Sequence, residues 1–463
     1  MPDSPWLGDA CSLVDAFRSG ERSPEEEAKA CLAAIEASDL NAFSFLDAEA
    51  ALDAARSADV SLPFGGVPIG IKELDKVKGW PATEGSVALK DKVATYDSTS
   101  VARLRAAGSV FLGMTTSSEF GGVNLTRTRL NGITHNPWNP ERTPGGSSGG
   151  AASAVAGGLI PIGTGGDGGG SIRIPAGFCG LVGLKHTYGR TPKGPGMYMG
   201  SMTAVPGCLA RSVRDAARWL DVTNGYDPHD PYSLPKEEGF EAGIGSVAVR
   251  GLKVAVAIDL GGSAVVHPDV AATLEAAAAA LIADAGLVRT DVSIALPSMD
   301  TAWALSGTAE IFSDLGDRWP ECADQLTPQI RFILEIAEKM YDIKSRAQLE
   351  SRRSQFNDTM AAIFDQVDLV ICATNPDVAF SAAGPLPTQV GERDVPIGNN
   401  GALTIPGNIH GNPGVSIPVG TVDGLPVGMQ IMTRHRREDI LIELAAIAER
   451  ERPWALVAPG VAG

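Results

Sequence analysis

The sequence predicts an α/β protein, a single large domain over residues 1–463 with a mixed, mostly buried central sheet covered by helices. Hydrophobic residues make up 44% of the 463 residues, which is enough to fill a large core. Strand-like and helix-like segments alternate along most of the chain, as they do in α/β proteins. No low-complexity linker and no internal repeat divides the chain, so a second domain is not predicted.

The N-terminal segment, at about residues 8–58, is predicted to be helical. Ser23, Pro24 and Glu26 supply an N-cap, a proline at the first helical position and the acid of a capping box. The apolar residues that follow recur at steps of three and four, which predicts a helix packed on the core. A second helix is expected at about 48–57.

The rest of the chain predicts alternating strands and helices. Apolar residues at every second position indicate a strand at 67–71 that ends at Lys72. The same criteria predict strands at 109–114, 159–166, 252–258, 367–373, 413–420 and 425–432, helices at 98–107, 212–223, 268–285 and 437–452, and two helix-rich stretches within 298–365.

Composition and short motifs exclude several classes of function. The formal net charge of −17 disfavours binding to nucleic acid. The N-terminal MPDSPWLGDA has no basic region followed by an apolar segment, so no signal peptide is predicted. The most apolar helical stretch carries Glu275 and Asp284, so no membrane span is predicted either. The cysteines form no CxxC pair and the histidines no HExxH, which favours reduced thiols, a cytoplasmic location and no metal site.

Glycine is concentrated at 143–183, and two general motifs match there formally. GTGGDG (163–168) fits the GxGxxG of dinucleotide sites, but such a site needs a helix to begin there, and Pro175 leaves no room for a long one. GGSSG (145–149) fits the GxSxG nucleophile elbow, but the preceding HNPWNPERTP is unsuited to the buried strand that an elbow follows. Both interpretations are therefore weak.

A third interpretation joins Lys72, Ser147 and Ser171. The segment 143–185, TPGGSSGGAASAVAGGLIPIGTGGDGGGSIRIPAGFCGLVGLK, resembles the amidase signature family. The resemblance continues upstream in FGGVPIGIKELDKVKG and ITHNPWNPERTPGG, and more weakly downstream in NPGVSIPVGTVDGLPVGMQIM, with its strong core at about 65–215. It implies the amidase-signature fold and a Ser-cisSer-Lys triad.

The resemblance also implies a role for each matching residue. Ser171 corresponds to the nucleophile, Ser147 to the bridging serine and Lys72 to the base. The backbone N–H groups of the preceding glycine run correspond to the oxyanion hole: Gly168, Gly169 and Gly170.

Further residues are expected to support this site. Ser148 is expected to hydrogen-bond within it, and Asp167 and Arg173 to form an ion pair that braces the nucleophile loop rather than to contact substrate. The segment EFGGVNLTRTRLNG (119–132) differs from the usual family text, and its Gly121 and Gly122 are expected to leave room beside the nucleophile.

The residue types suit this chemistry, although each also has a simpler interpretation. A serine attacks a carbonyl only when a base removes its proton, and a lysine can do so when burial keeps its amine neutral. Taken singly, Lys72 could be a solvated strand end, Ser147 and Ser148 helix caps, and Ser171 a turn residue. The ordered set of motifs favours the catalytic roles.

We therefore expect a cofactor-independent serine hydrolase that cleaves a small-molecule amide. Anilides, carbamates (urethanes) and esters present the same carbonyl group and are candidate substrates. The glutaminase subunit of a tRNA-dependent amidotransferase is the main alternative, although the glutamine-binding motif of such subunits is not evident at 397–414. A non-catalytic binding protein is a third. No metal, nucleotide, nucleic acid or membrane is expected to take part, a homodimer is compatible with the sequence, and the substrate itself is not specified.

Overall fold

The computed structural model describes residues 4–196 and 201–461. Residues 1–3 of the N-terminal segment in which no signal peptide is predicted therefore lie outside the described residues. The helices are α1 Ala10–Ser19, α2 Pro24–Glu36, α3 Ala48–Arg56, α4 Thr99–Ala106, α5 Gly149–Ala156, α6 Arg173–Cys179, α7 Val213–Thr223, α8 Pro268–Ala285, α9 Asp300–Leu315, α10 Pro328–Met340, α11 Ile343–Gln366, α12 Ile405–His410 and α13 Glu438–Glu451.

The strands are β1 Phe43–Leu46, β2 Pro68–Lys72, β3 Val110–Thr115, β4 Arg127–Thr128, β5 Gly132–Ile133, β6 Ile162–Asp167, β7 Val182–Lys185, β8 Val205–Ala210, β9 Lys253–Val256, β10 Val288–Arg289, β11 Leu369–Ala373, β12 Gln389–Val390, β13 Arg393–Asp394, β14 Gly414–Val422 and β15 Leu425–Thr433.

One sheet of eleven strands organises the fold, in the order β1-β3-β2-β6-β8-β7-β14-β15-β11-β9-β10. Strand β2 runs parallel to β3 and β6, and β9 runs parallel to β10 and β11. The other neighbours in this sheet are antiparallel. The predicted α/β class with a mixed sheet is therefore confirmed.

The centre of the sheet is covered on both faces. Every residue of β2, β3, β7, β11 and β15 is buried. Helices α5, α6, α8 and α13 pack directly on the strands. Nearly continuous apolar runs in these strands explain the arrangement, because a strand buried on both faces has no polar side to present to water.

The local predictions hold in part. The capping box at the start of α2 is present, with Ser23 Oγ accepting from Glu26 N at 3.2 Å. The segment 8–58 contains three helices, but it also contains strand β1, which was not predicted. Strands β7 and β8 were missed as well, because their glycine- and proline-containing text lacks a clean alternation.

The topology determines where the functional residues meet. Strands β2 and β6 are parallel neighbours, with Ile69 opposite Ile162 and Gly70 opposite Gly163. The carboxyl ends of parallel strands lie at the same edge of a sheet, so Lys72 at the end of β2 comes close to the loop that follows β6.

Two further observations concern the chain as a whole. All six cysteines are buried and unpaired. Within residues 4–196 and 201–461, no helix combines the length and the hydropathy that crossing a bilayer requires.

Candidate active site

Lys72, the last residue of β2, lies at the centre of the candidate site. The strand is enclosed by β3 and β6, and Lys72 is only 2% exposed. Its backbone N–H donates to Thr164 Oγ1 at 2.8 Å, and the Thr164 hydroxyl donates to Asp75 Oδ2 at 2.8 Å. These bonds join the end of β2 to β6 and hold the lysine backbone in place.

Two serines surround the Lys72 amine. The Nζ atom lies 2.7 Å from Ser147 Oγ and 2.8 Å from Ser148 Oγ, and both serines are buried. The peptide bond between Gly146 and Ser147 is cis. Ser148 occupies the N-cap position of α5, but its side chain makes no capping hydrogen bond. Helix capping therefore does not account for its hydroxyl, which contacts the lysine as expected.

Burial changes the protonation of Lys72. Desolvation lowers the pKa of its amine from the ordinary 10.5 to about 8, and the nearby carboxylates of Asp75, Asp167 and Glu73 oppose the shift. A lysine accepts a proton only as the neutral amine, so a pKa near 8 makes the free base available close to neutral pH.

Ser171 faces the same cavity as Lys72 and Ser147. It is half-buried, and its carbonyl oxygen accepts a hydrogen bond from the Ser148 N–H at 3.3 Å. Helix α6 begins two residues later, at Arg173. The three residues of the predicted triad thus line one cavity, although they come from three separate parts of the chain.

Within the described part of the chain, the glycine run before Ser171 presents two free donors rather than three. Gly168 and Gly169 line the cavity, and their N–H groups have no acceptor among the described residues. Gly170, with a φ of +126°, instead donates its N–H to Asp167 Oδ1 at 2.8 Å. The prediction for Gly170 as an oxyanion donor is corrected accordingly, because its N–H is already engaged.

A buried ion pair braces this loop. Arg173 donates to Asp167 from Nε at 3.0 Å and from Nη2 at 2.9 Å, and both side chains are fully buried. Arg173 also donates to Gln430 Oε1 at 2.5 Å and to Asn408 Oδ1 at 2.6 Å. Burial alone would raise the pKa of the Asp167 carboxyl, but Arg173 holds that pKa well below its usual range. Neither charged side chain lines the cavity, as expected for a brace.

The cavity above Ser171 has a volume of about 560 Å³. Its apolar wall is formed by Leu74, Phe120, Val123, Trp303, Ile330 and Ile333. Several of its charged residues pair with one another, as Lys76 with Glu84, Lys92 with Asp314, and Lys193 with Glu310. The cavity therefore offers apolar surface together with charges that already have partners.

Gly121 and Gly122 both line this cavity, but in different ways. Gly121 has a φ of +68°, and a Cβ atom added there would lie 3.3 Å from Ser147 Oγ, so this glycine borders the Ser147 side chain. A Cβ atom on Gly122 would lie 2.5 Å from Ile330 Cδ1. Gly122 thus packs closely against α10 while still lining the cavity, and its part in substrate binding stays a prediction.

Several residues of the site were not found from the sequence. Trp303 donates from Nε1 to the Gly168 carbonyl at 2.8 Å, and Thr404 Oγ1 donates to the Gly169 carbonyl at 2.6 Å. Neither carries a local sequence signal. Gln430 had one, because its polar side chain interrupts the apolar run of the fully buried strand β15.

Other candidate chemistries find little support. His186 stacks on Trp219, and burial lowers its pKa to about 3. GTGGDG falls within and just after strand β6 instead of opening a helix, which removes the dinucleotide interpretation. Among residues 4–196 and 201–461, no group of three or more His, Cys, Asp and Glu side chains is placed to hold a metal ion.

Comparisons with known proteins agree with this architecture. The family model Amidase matches residues 26–442. The chain is 35% identical to a glutamyl-tRNA(Gln) amidotransferase subunit of Salinispora tropica, covering 95% of this chain and 96% of the relative. It is 34% identical to an acylamidase of Rhodococcus erythropolis, covering 97% and 96%. A bacterial aryl acylamidase of the amidase signature family superposes with a TM-score of 0.90 at 28% identity, over 97% of each chain. This chain thus belongs to the amidase signature family, enzymes that hydrolyse amide C–N bonds.

Proposed function

We propose that this enzyme hydrolyses a small-molecule amide through an acyl intermediate on Ser171, with Ser147 and Lys72 as the proton relay. One observation carries the proposal: the amine of Lys72, a residue that is 2% exposed, lies 2.7 Å from Ser147 Oγ in the cavity that Ser171 also lines. A buried amine in contact with a hydroxyl is suited to accept a proton from it.

Acylation begins when Ser171 Oγ attacks the substrate carbonyl carbon. Its proton passes to Ser147 Oγ while the Ser147 proton passes to the neutral Lys72 amine. The carbonyl oxygen becomes an oxyanion and accepts hydrogen bonds from the N–H groups of Gly168 and Gly169, for which the described part of the chain supplies no other acceptor. Each such donor stabilises the transition state by about 3 kcal/mol.

Collapse of the tetrahedral intermediate breaks the C–N bond. The leaving nitrogen takes a proton from Ser147, which is reprotonated by the Lys72 ammonium, so a neutral amine leaves. A water molecule then attacks the acyl carbon of the Ser171 ester while the same relay accepts its proton. The bond to Ser171 Oγ breaks, the relay returns the proton to Ser171 Oγ, and the acid is released. The sequence of steps requires no metal and no organic cofactor.

The cavity supports an uncharged substrate with an apolar or aromatic group. Its wall includes Phe120, Trp303 and Ile330, and several of its charged residues are partnered with each other. Anilides fit this description, and carbamates and esters share the reactive carbonyl. We propose that such neutral carbonyl compounds are the substrate class.

Glutamine hydrolysis within a tRNA-dependent amidotransferase is a second candidate, because the Salinispora tropica relative is 35% identical over 95% of this chain. Free glutamine carries an ammonium and a carboxylate that need counter-charges. In the cavity, Lys92 Nζ lies 3.0 Å from Asp314 Oδ1, and Lys193 Nζ lies 3.9 Å from Glu310 Oε1. The charges of these side chains are therefore already compensated. This observation favours the neutral substrates.

A substrate panel tests the proposal. The purified enzyme is assayed on acyl anilides, carbamates, esters and glutamine, beside its Ser171→Ala variant. Hydrolysis of apolar anilides that is lost in the variant supports the proposal. Hydrolysis of glutamine alone favours the second candidate, and undiminished hydrolysis by Ser171→Ala contradicts the mechanism.

We also propose that the enzyme acts in the cytoplasm, without nucleic acid or membrane. The net charge of −17 and the six buried, unpaired cysteines support this assignment. A homodimer is compatible with the sequence, and light scattering on the protein as it elutes from a size-exclusion column distinguishes it from a monomer.

A further inference from the structure

The glycine loop before Ser171 is held by its carbonyl groups. Glycine residues have no side chains that could anchor them, so contacts to the backbone must determine how these peptides are oriented. Each carbonyl of the loop accepts a hydrogen bond: Asp167 O from Asn408 Nδ2 (2.8 Å), Gly168 O from Trp303 Nε1 (2.8 Å), Gly169 O from Thr404 Oγ1 (2.6 Å) and Gly170 O from Ile174 N (2.7 Å).

The orientation of a carbonyl fixes the N–H group of the next residue. The peptide bonds of this loop are trans, so the C=O and N–H of one peptide unit point in opposite directions. The bond from Trp303 to the Gly168 carbonyl therefore sets the direction of the Gly169 N–H. Within the run Gly168–Gly170, Gly169 is one of the two glycines whose N–H has no acceptor among the described residues.

Trp303 reaches this loop from α9, outside the central sheet. Its ring lies directly against Gly169, where an added Cβ atom would be 2.4 Å from Trp303 Cζ2. The same half-buried indole lines the cavity beside Ser171. One side chain thus contacts both the loop peptide and the space that a substrate fills.

We propose that Trp303 is a positioning residue, whose indole N–H aims the Gly169 N–H at the developing oxyanion while its ring forms a wall for the substrate. The inference rests on the proposed function, because it assigns the oxyanion role to Gly169. A substrate group that contacts the indole then affects kcat, since the ring it touches also orients the donor.

Two variants test the proposal on the anilide that the panel identifies as the best substrate. Trp303→Phe removes the N–H, and replacement of Trp303 by 3-benzothienylalanine removes it while preserving the shape of the ring. Trp319→Phe is the matched control, because Trp319 lies outside the cavity and its Nε1 has no hydrogen-bond partner among residues 4–196 and 201–461. Thermal unfolding of each variant is measured beside its kinetics.

Both Trp303 variants should lower kcat on the order of tenfold, less than the 10²–10³-fold that follows removal of an oxyanion donor itself. The 3-benzothienylalanine variant should keep KM within about twofold, and Trp319→Phe should retain both constants. An unchanged kcat in the 3-benzothienylalanine variant, with Ser171→Ala inactive, overturns the role of Trp303 and leaves the proposed function standing. Activity in Ser171→Ala overturns the proposed function itself.

If Trp303→Phe fails to fold, the 3-benzothienylalanine variant decides the matter alone, because it fills the same volume. A rise in KM with kcat retained in that variant would make Trp303 only a substrate contact and would also overturn the proposal.

Discussion

Among the described residues, Lys72 donates no hydrogen bond to a carboxylate, and its amine is held by two serine hydroxyls and one carbonyl. Because burial lowers its pKa to about 8, the neutral and reactive form predominates only above that pH. We expect kcat/KM to rise with pH through about 8 and then to level off. Lys72→Ala should abolish this rise of kcat/KM with pH and lower kcat/KM by about 10²–10⁴-fold, as measured by initial rates between about pH 6 and 10.

His186 provides the control for this pH dependence. Burial against Trp219 lowers its pKa to about 3, and it lies outside the cavity. His186→Gln should therefore leave the rise of kcat/KM with pH unchanged. Loss of the pH dependence of kcat/KM in His186→Gln, or near-normal activity in Lys72→Ala, would contradict the assignment of Lys72 as the base.

At the scale of residues, most of the candidate site was recognisable from the sequence, including the Asp167–Arg173 pair, but the supporting residues Trp303 and Thr404 were not. Lys72, Ser147 and Ser171 stand in local motifs, so each was recognisable without the fold. Trp303 and Thr404 act through contacts across more than a hundred residues of chain, and no local pattern marks them. The engagement of the Gly170 N–H by Asp167 was equally invisible, because it depends on the path of the loop.

The loop from β6 to α6 depends on its buried ion pair. Arg173→Met would leave the Asp167 carboxylate buried without its charged partner. We expect the free energy of unfolding to fall by about 3–5 kcal/mol, measured by urea denaturation. Activity should fall as well, because Asp167 also accepts the N–H groups of Gly170 and Ile172.

An exposed pair gives the matched comparison. Arg331 contacts Glu335 at 2.8 Å on the surface of α10, where both side chains are more than 40% exposed. Arg331→Met should change the unfolding free energy far less, because water screens such pairs. Equal effects from the two substitutions would contradict the bracing role of Arg173.

Helix α5 packs so closely on the end of β3 that its second residue must be glycine. A Cβ atom on Gly150 would lie 2.4 Å from the Thr116 backbone nitrogen. Gly150→Ala should therefore destabilise the protein by roughly 1–3 kcal/mol in urea denaturation. It should also reduce kcat, because Ser147 and Ser148 immediately precede this helix.

A glycine-to-alanine substitution should change the free energy of unfolding in the opposite direction where the added methyl group meets open space. Gly307 lies inside α9, and a Cβ atom there would meet nothing within 4 Å. Gly307→Ala is expected to stabilise the protein by about 0.5–1 kcal/mol through helix propensity. Destabilisation at Gly307 and none at Gly150 would refute the packing argument.

At the scale of elements, prediction succeeded where the periodicity was strong. Helix α8 has the bounds that its proline start and apolar pattern predicted, Pro268–Ala285. Strand β8 was missed because its pairing with β6 and β7, rather than its own sequence, makes it a strand.

The whole chain should unfold as one unit. The central sheet places β7 next to β14, so segments more than two hundred residues apart are neighbours within it. We propose a single domain over residues 1–463, which predicts coincident urea transitions for far-UV circular dichroism and tryptophan fluorescence. Two separated transitions would indicate independent units and would contradict the single-domain prediction.

Covalent labelling tests the assignment of the nucleophile most directly. The enzyme is treated with a fluorophosphonate and digested, and the modified peptide is located by mass spectrometry, with Ser171→Ala and Lys72→Ala treated in parallel. We expect the adduct on Ser171, much slower labelling in Lys72→Ala and none in Ser171→Ala. An adduct on Ser147 or Ser148 in the unmodified enzyme would contradict the proposed mechanism.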